Sequence, residues 1–257
     1  MADRSPAVRS VILEEAGSTN SEAFARALAG EAGPLWIMAR HQSQGRGRSG
    51  RRWASEPGNL YASLLQRLVC HQSVVHQLSL VAGVATLEAI AAAAGAPIAG
   101  LRLKWPNDVL IGGAKCAGIL PESQMVAGGS EAVVVIGIGI NLARHPTSLG
   151  HAATHLALHG IELEPEAMLG FLAVAMERWV EAWDKGAGFA RVRAAWLGYA
   201  GAVGESLSVH AGKERIAGTF LGLDDGGALL MRDVEGQARR LTFGDVTLAR
   251  TPAQDGS

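Results

Sequence analysis

His41-Gln42-Ser43-Gln44-Gly45-Arg46-Gly47-Arg48-Ser49-Gly50-Arg51-Arg52-Trp53 is the stretch on which the fold turns. Glycines at 45, 47 and 50 spell a literal G-x-G-x-x-G, the spacing of a dinucleotide-binding βαβ unit. In that unit the glycines follow a strand directly and open a helix, and an acidic residue about twenty positions on holds a ribose. Here polar residues 41–44 precede the glycines, Arg51-Arg52-Trp53 and Glu56-Pro57-Gly58 follow, and Val69-Cys70-His71 stand where the acid belongs. That context excludes the dinucleotide reading. A P-loop is excluded as well, because no Gly-Lys-Ser or Gly-Lys-Thr occurs. What is left is a glycine loop with arginines at 46, 48, 51 and 52 and no acid before Glu56. Glycines let backbone N–H groups approach an anion, and guanidinium groups supply planar donors for carboxylate or phosphate. The competing reading is a solvated basic loop.

Upstream, residues 11–13 predict a short strand. Residues 17–22 then predict a turn into a helix, with Thr19 and Glu22 at capping-box spacing and Gly30 as the stop. Such a turn gathers polar side chains and free N–H groups at a helix N-terminus. Residues 35–39 predict a strand running into the arginine loop, 59–67 another strand, and 72–94 one long alanine-rich helix. Residues 101–105 alternate apolar and charged, Pro106-Asn107-Asp108 interrupts, 109–111 resumes, Gly112-Gly113 turns, and 115–120 returns as a strand. Residues 133–142, V-V-V-I-G-I-G-I-N-L, are the most β-branched run. Residues 165–183 and 189–199 read as helices, with Trp179, Trp183 and Trp196 as packing residues. From 201 to 250 the pattern changes to short alternating runs, 206–210, 215–223, 228–232 and 239–248, which predict a small all-β barrel. The expected organisation is a larger α/β (α+β) domain over 1–200, a small barrel over 201–250, and a disordered tail over 251–257.

With 257 residues, 48% hydrophobic and 18% charged, the chain is an ordinary globular protein with a large core, and its formal charge of -1 gives no globally basic surface for nucleic acid. Cys70 and Cys116 stand far apart without partners at metal spacing, which fits neither a disulfide framework nor zinc, and a cytoplasmic location is expected. No signal-peptide core is found at the N-terminus, and the apolar run 78–95, which carries Ser79, Thr86 and Glu88, reads as a buried helix.

Three further groups carry chemistry. Proline ends strand pairing at 106, so Asn107 and Asp108 project from an irregular turn, to which the return strand brings Lys115. A carboxylate and an ammonium near a cationic loop suit work on an anion, the lysine meeting charge that develops on phosphate; the bland reading is a surface ion pair. Gly137-Ile138-Gly139-Ile140-Asn141 allows a flat apolar ligand to approach backbone, with an amide at the strand's mouth, unless the glycines only ease packing. His151, His155 and His159 have helical spacing but no acidic or cysteine companion, which argues against a metal site. Cys116 is expected to be a buried thiol facing away from Lys115.

In order along the chain, Ser18-Thr19-Asn20, the loop from Gln42 to Trp53, Asn59-Leu60-Tyr61, Lys104-Trp105-Pro106-Asn107-Asp108, Lys115 with Gly118-Ile119-Leu120, and residues 137–141 together resemble the biotin protein ligases, also called biotin-[acetyl-CoA-carboxylase] ligases or holocarboxylase synthetases. The resemblance implies an α/β catalytic domain over 1–200, with a mixed sheet flanked by helices, followed by an SH3-like barrel over 201–250. It implies a two-step reaction with biotin, ATP and Mg²⁺: the biotin carboxylate attacks the α-phosphate to give biotinyl-5′-AMP, and a lysine of a biotin carboxyl carrier domain then takes the biotinyl group. By the same carry-over Ser18, Thr19, Asn20 and Gln42, with backbone at Gly45 and Arg46, would hold biotin's ureido ring and carboxylate. Gly118, Leu120 and Gly137 would line its apolar slot. Arg46, Arg48 and Lys115 would face the phosphates, Trp53 the adenine side, and Asn141 the nucleotide or Mg²⁺. Lys115, Arg46 and Asp108 would carry catalysis, Asp108 orienting the acceptor lysine, and the loop would act as a lid. Homodimers occur among such ligases, but no strand can be assigned here to an interface. The family commonly has threonine and a small or apolar residue where this chain has Ser43 and Gln44. With about ten residues before the first strand, no DNA-binding helix-turn-helix is expected, and neither DNA nor membrane is an expected partner.

The alternative reading is a lipoate or octanoate ligase or transferase acting on a carrier lysine, against which the arginine-glycine loop and the K-W-P-N-D motif argue. A nucleic-acid module is disfavoured by the scarcity of aromatic stacking residues near the arginines.

Overall fold

The structure is a computed structural model that describes residues 9–126, 131–147 and 152–248. Its larger sheet has seven strands: β1 Ser10–Ala16, β2 Leu35–Gln42, β3 Leu60–Val69, β4 Arg102–Lys104, β5 Asp108–Ile111, β6 Ala114–Met125 and β7 Glu131–Ile140. They lie in the order β1-β2-β3-β7-β6-β5-β4. β1 and β2 are parallel and joined through helix α1, Thr19–Leu28, while the remaining neighbours are antiparallel. The sheet is therefore mixed, as expected from the sequence.

The register of β7 fixes where the site lies. Both faces of this central strand are covered, which is why its sequence is a nearly continuous apolar run. Ala132, Val134, Ile136, Ile138 and Ile140 face a large core shared with α2, Leu78–Ala94, and α3, Pro165–Trp183. Val133 and Val135 face the other way and pack with Ala23 and Ala27 of α1, Ile37 and Leu65. Side chains alternate along a strand, so Gly137 and Gly139 continue the α1 face. Opposite them on that face stand Ser63 and Tyr61 of β3 and Leu120 and Gly118 of β6. At this point only the first turn of α1 still overlies the strand, and the two glycines have no side chains of their own, so Asn20 rests directly on Gly137 and the Trp53 indole on Gly139.

Two local expectations are corrected. Thr19 does not cap α1: the N-cap position is Ser18, which makes no side-chain cap bond, and Thr19 is the first helical residue. Glu22 pairs instead with Arg26 at 3.0 Å. The expected single helix over 72–94 is a 3₁₀ turn, Gln72–Gln77, followed by α2. By length and composition this segment could cross a membrane. Here its all-round apolarity is matched by burial against α3, α4 (Phe189–Gly198) and the sheet. Trp179, Trp183 and Trp196 are all buried in that packing.

The C-terminal strands are β8 Ser206–Ala211, β9 Glu214–Leu223, β10 Leu229–Asp233, β11 Ala238–Leu241 and β12 Asp245–Leu248. The run predicted over 239–248 is thus two strands separated by a turn. They form an antiparallel sheet in the order β11-β10-β9-β8-β12. Among the described residues β11 and β12 are its two unpaired edges, so the strands expected over 201–250 are seen as a five-stranded antiparallel sheet. Its apolar residues, among them Val209, Phe220, Leu229 and Met231, enter the same core as α2 and α3. The tail over 251–257 lies outside the described residues.

Candidate active site

The glycine end of the α1 face forms the floor of a cavity of about 700 Å³. One end is polar. Gln42 Oε1 accepts from the backbone N–H of Thr19 at 2.9 Å and from its hydroxyl at 3.2 Å. The Ser63 hydroxyl lies 2.7 Å from Thr19 Oγ1 and 2.6 Å from Asn20 Oδ1, and Asn20 Nδ2 donates to the Leu120 carbonyl at 3.2 Å and to Glu122 Oε2 at 2.6 Å. Thr19, Asn20, Gln42 and Ser63 are all buried, so their polar groups have to be paired, and this network sets their directions; Ser18 is buried beside them.

The floor is made by Gly118, Gly137 and Gly139. A methyl group on Gly137 would collide with the Asn20 amide, and one on Gly139 would stand 2.6 Å from the Trp53 indole. The indole also crosses Gly118, where an added carbon would meet it at 2.7 Å. Trp53 thus lies flat on bare backbone of β6 and β7. Its Nε1 is buried without a hydrogen-bond partner, and the Lys115 ammonium stands 5.2 Å from its ring centroid.

The other end is cationic around one carboxylate. Asp108 Oδ1 meets Lys115 Nζ at 2.5 Å and Oδ2 meets Lys104 Nζ at 2.8 Å. Burial by itself would raise the Asp108 pKa, but the ammonium groups of Lys115 and then Lys104 override it and hold the carboxyl below its usual range. Lys104 also donates to the Val246 carbonyl on β12 at 3.1 Å. The backbone of Lys115 is clamped on its far side: its N–H donates to the Ala152 carbonyl and its carbonyl accepts from Thr154 N–H, both at 2.9 Å. Asn141 Nδ2 donates to the Thr154 carbonyl at 3.0 Å and so braces the same segment.

The arginine loop covers the cavity. Gly47 N–H donates to the Arg51 carbonyl, Trp53 N–H donates to Gly45, and 48–50 form a single 3₁₀ turn with Ser49 at φ 56°. Arg46 reaches Ser21 Oγ at 3.1 Å and Glu122 Oε2 at 3.3 Å. Arg48 lies within 3.3 Å of Asn107 Oδ1 and 3.2 Å of the Gly244 carbonyl, and Asp245 takes Arg51 at 2.7 Å. Burial lowers the Arg48 pKa from its ordinary value, with Asp245 opposing. The loop is therefore held by carboxylates at both ends, one from β6 and one from β12.

Of the residues named from sequence, Ser18, Thr19, Asn20 and Gln42 line one end of this cavity, and Gly118, Leu120 and Gly137 its floor. Arg46, Arg48, Trp53, Asp108, Lys115 and Asn141 line the rest. Gly45 does not: it lies behind the wall, where a side chain would strike the Trp53 carbonyl at 2.8 Å and Gln42 Nε2 at 3.1 Å. The histidines do not form a helical row. His155 precedes the 3₁₀ turn Leu156–His159 and faces His145, with Nδ1 atoms 2.7 Å apart, while His159 pairs with Thr154 Oγ1; His151 lies outside the described residues. Cys116 is fully buried and its thiol is pushed up to about 12 by burial.

Residues 18–141, which carry most of this wall, match the model of the biotin/lipoate A/B protein ligase family. The chain is 40% identical over 232 residues to the biotin--[acetyl-CoA-carboxylase] ligase of Paracoccus denitrificans, an alignment covering 88% of this chain and 95% of that one. The chain belongs to the biotin protein ligases. It is also 32% identical to the biotin--[acetyl-CoA-carboxylase] ligase of Mycobacterium tuberculosis, over 93% of this chain and 88% of that one. Among solved structures it is similar to the biotin protein ligase of Aquifex aeolicus in complex with biotin and ATP, with a TM-score of 0.77, 26% identity and coverage of 95% and 99% of the two chains.

Motif reading of this biotin protein ligase missed four residues that the structure places at the site. Ser63 and Glu122 complete the polar end, and Lys104 and Asp245 complete the cationic one. Ser63 left a signal in the sequence, a lone serine inside the largely apolar run 60–65. Lys104 lay inside a quoted motif without a role. Glu122 and Asp245 left none, since their meaning depends on which arginine folds over them.

Proposed function

We propose that the chain joins biotin to a lysine of a biotin carboxyl carrier domain by way of biotinyl-5′-AMP. The observation that carries this reading is one continuous cavity with a buried polar end, a floor of bare strand backbone, and a carboxylate with two lysines at the far end, all beneath a loop of arginines. Biotin fits that order of chemistry, with ureido ring at one end, apolar bicycle and chain along the floor, and carboxylate towards the cations. In the first step a carboxylate oxygen of biotin bonds to the α-phosphorus of ATP, and the bond to the leaving pyrophosphate breaks. In the second, the acceptor's neutral amine adds to the acyl carbon, AMP leaves with the anhydride oxygen, and the amine's proton is lost.

Carboxylate and polyphosphate repel each other, so the site has to neutralise both before they meet, and fixed cations in a cavity shielded from water do this at no cost in reorganisation. We assign Ser18, Thr19, Asn20 and Gln42 to the ureido ring and Gly118, Leu120 and Gly137 to the slot. Arg46, Arg48 and Lys115 face the phosphates, Lys115 at the α-phosphate. Trp53, flat on Gly118 and Gly139, offers its outer face to the adenine. Asp108 receives and orients the acceptor lysine. No cluster of three or more acidic, histidine or cysteine ligands occurs among the described residues, and Asp108 is already shared by two lysines. Mg²⁺ would enter as part of the MgATP substrate, and Asn141 on the cavity wall is the residue we assign to approach it.

We read the C-terminal sheet as an SH3-like barrel with its boundary near residue 200. The support is its length, five short strands and a register shift between Leu230 and Met231 that bends the sheet. Two free, buried cysteines agree with a cytoplasmic location.

The deciding measurement is ATP-dependent labelling of a carrier domain, with biotin and with lipoate in parallel. Labelling and pyrophosphate release with biotin are expected; pyrophosphate release with lipoate alone would overturn the assignment.

A further inference from the structure

Glu122 lies on β6 two residues beyond Leu120 and is not part of the cavity wall, yet one of its oxygens holds two residues that are. Oε2 accepts from Asn20 Nδ2 at 2.6 Å and from the Arg46 guanidinium at 3.3 Å. These partners come from different parts of the site. Asn20 lies in the first turn of α1, and its amide, directed by Glu122 and the Leu120 carbonyl on one side and by the Ser63 hydroxyl on the other, closes the polar end of the cavity against Gly137. Arg46 belongs to the loop above.

We infer that Glu122 is a positioning residue that couples the polar end wall to the arginine loop, so that the same carboxylate orients Asn20 for the acid's head group and holds the loop down over the activated intermediate. The inference rests on the biotin-ligase reading. Its physical basis is that a carboxylate oxygen can accept several donors at once, and a charged acceptor fixes an amide's orientation more firmly than a neutral one. The Arg46 side chain is 42% exposed and that of Glu122 34%, so the ion pair alone is a modest restraint. Its weight comes from acting on Asn20 through the same atom.

Glu122→Ala and Glu122→Gln separate the two effects, because a glutamine carbonyl still accepts from Asn20 but offers Arg46 no charge. Each variant is assayed for biotin KM and kcat by pyrophosphate release, and for the dissociation rate of labelled biotinyl-5′-AMP made in place. Glu122→Ala is expected to raise biotin KM and speed release of the intermediate, each by about tenfold, with a smaller fall in kcat. Glu122→Gln is expected to bring KM back towards that of the unsubstituted protein while release stays fast. If Glu122→Ala leaves both KM and release unaltered, or if both variants lose kcat and KM together with a lowered Tm, the positioning role is wrong. If the unsubstituted protein forms no biotinyl-5′-AMP, it is the biotin-ligase reading that fails.

Discussion

Asp108 carries two ammonium groups on one buried carboxylate, and that decides what it can do. Lys115 and Lys104 hold its pKa below the ordinary value, so it is a poor base at neutral pH and serves the transfer step by orienting the acceptor lysine. Lys115 is differently placed. One neighbour is Asp108 and the other is the face of Trp53, which leaves it able to turn to a phosphate, whereas Lys104 is tied a second time to the Val246 carbonyl. Replacing Lys115 by alanine is therefore expected to lower the rate of adenylate formation by about 10²–10³-fold. Biotin affinity, measured by calorimetry without ATP, should change far less, because the lost charge matters most where negative charge develops. Loss of biotin binding with normal turnover of what still binds would refute that role. The glycines of the floor give a second test. In Gly137→Ala the new methyl meets the Asn20 amide, which is fixed by Ser63, Leu120 and Glu122 and has nowhere to move. Overpacking of this kind costs about 1–3 kcal/mol. Biotin binding should weaken by a corresponding factor, while unchanged affinity would show that Asn20 is free to yield.

The arginine loop is the element that sequence reading described best in composition and least in attachment. Its glycines, its arginines and the failure of its dinucleotide context could all be read directly, as could β7, whose apolar run marks a strand covered on both sides. The register of β7 could not, and it is the register that puts Gly137 and Gly139 on the α1 face, opposite Ser63 and Tyr61. Capping was misjudged for a related reason: Thr19 has the right spacing for a cap, but a long-range partner, Gln42, takes its hydroxyl. The barrel pattern was legible as strands, while closure depends on contacts between edges that local alternation does not encode. Because the loop is pinned by Glu122 at Arg46 and by Asp245 at Arg48 and Arg51, its order depends on both ends. Arg46→Ala should release biotinyl-5′-AMP faster than the unsubstituted chain, and an unchanged rate would count against the loop as a lid. Asp245→Ala should speed trypsin cleavage at the exposed Arg51 and Arg52, with biotin and ATP together restoring protection; equal cleavage rates would mean that β12 does not hold the loop.

Across the whole molecule the C-terminal sheet is tied to the site at Gly244 to Val246, which holds Arg48, Arg51 and Lys104, and at Gly227, whose carbonyl accepts from the Trp105 indole at 3.1 Å. That sheet depends in turn on two aspartates. Asp224 Oδ1 accepts from Gly226 N–H at 2.9 Å and Ala228 N–H at 2.8 Å, and its other oxygen pairs with Arg240. Asp233 repeats the device with Glu235 N–H, Gln237 N–H and Arg239. At Asp224 burial acts to raise the pKa, but the Arg240 bond and the backbone donors outweigh it. At Asp233 the Arg239 bond leads, and both carboxyls end below the ordinary value of 3.8, as does Asp108. A carboxyl whose pKa is lower in the folded chain than in the unfolded one stabilises the fold above the unfolded value and loses that contribution as pH falls through the folded one. Stability should therefore be full at neutral pH and fall steeply once pH drops below 3.8, with the turns of the C-terminal sheet and the Asp108 cluster losing their anions together. Asp224→Asn keeps an oxygen for the two backbone donors but removes the charge facing Arg240. It is expected to lower the Tm at pH 7 and to flatten the acid dependence, because the variant has one fewer such proton to take up. Thermal unfolding of both proteins between pH 7 and pH 3 checks this, and parallel curves separated by a constant Tm difference would show that Asp224 contributes through its backbone bonds alone.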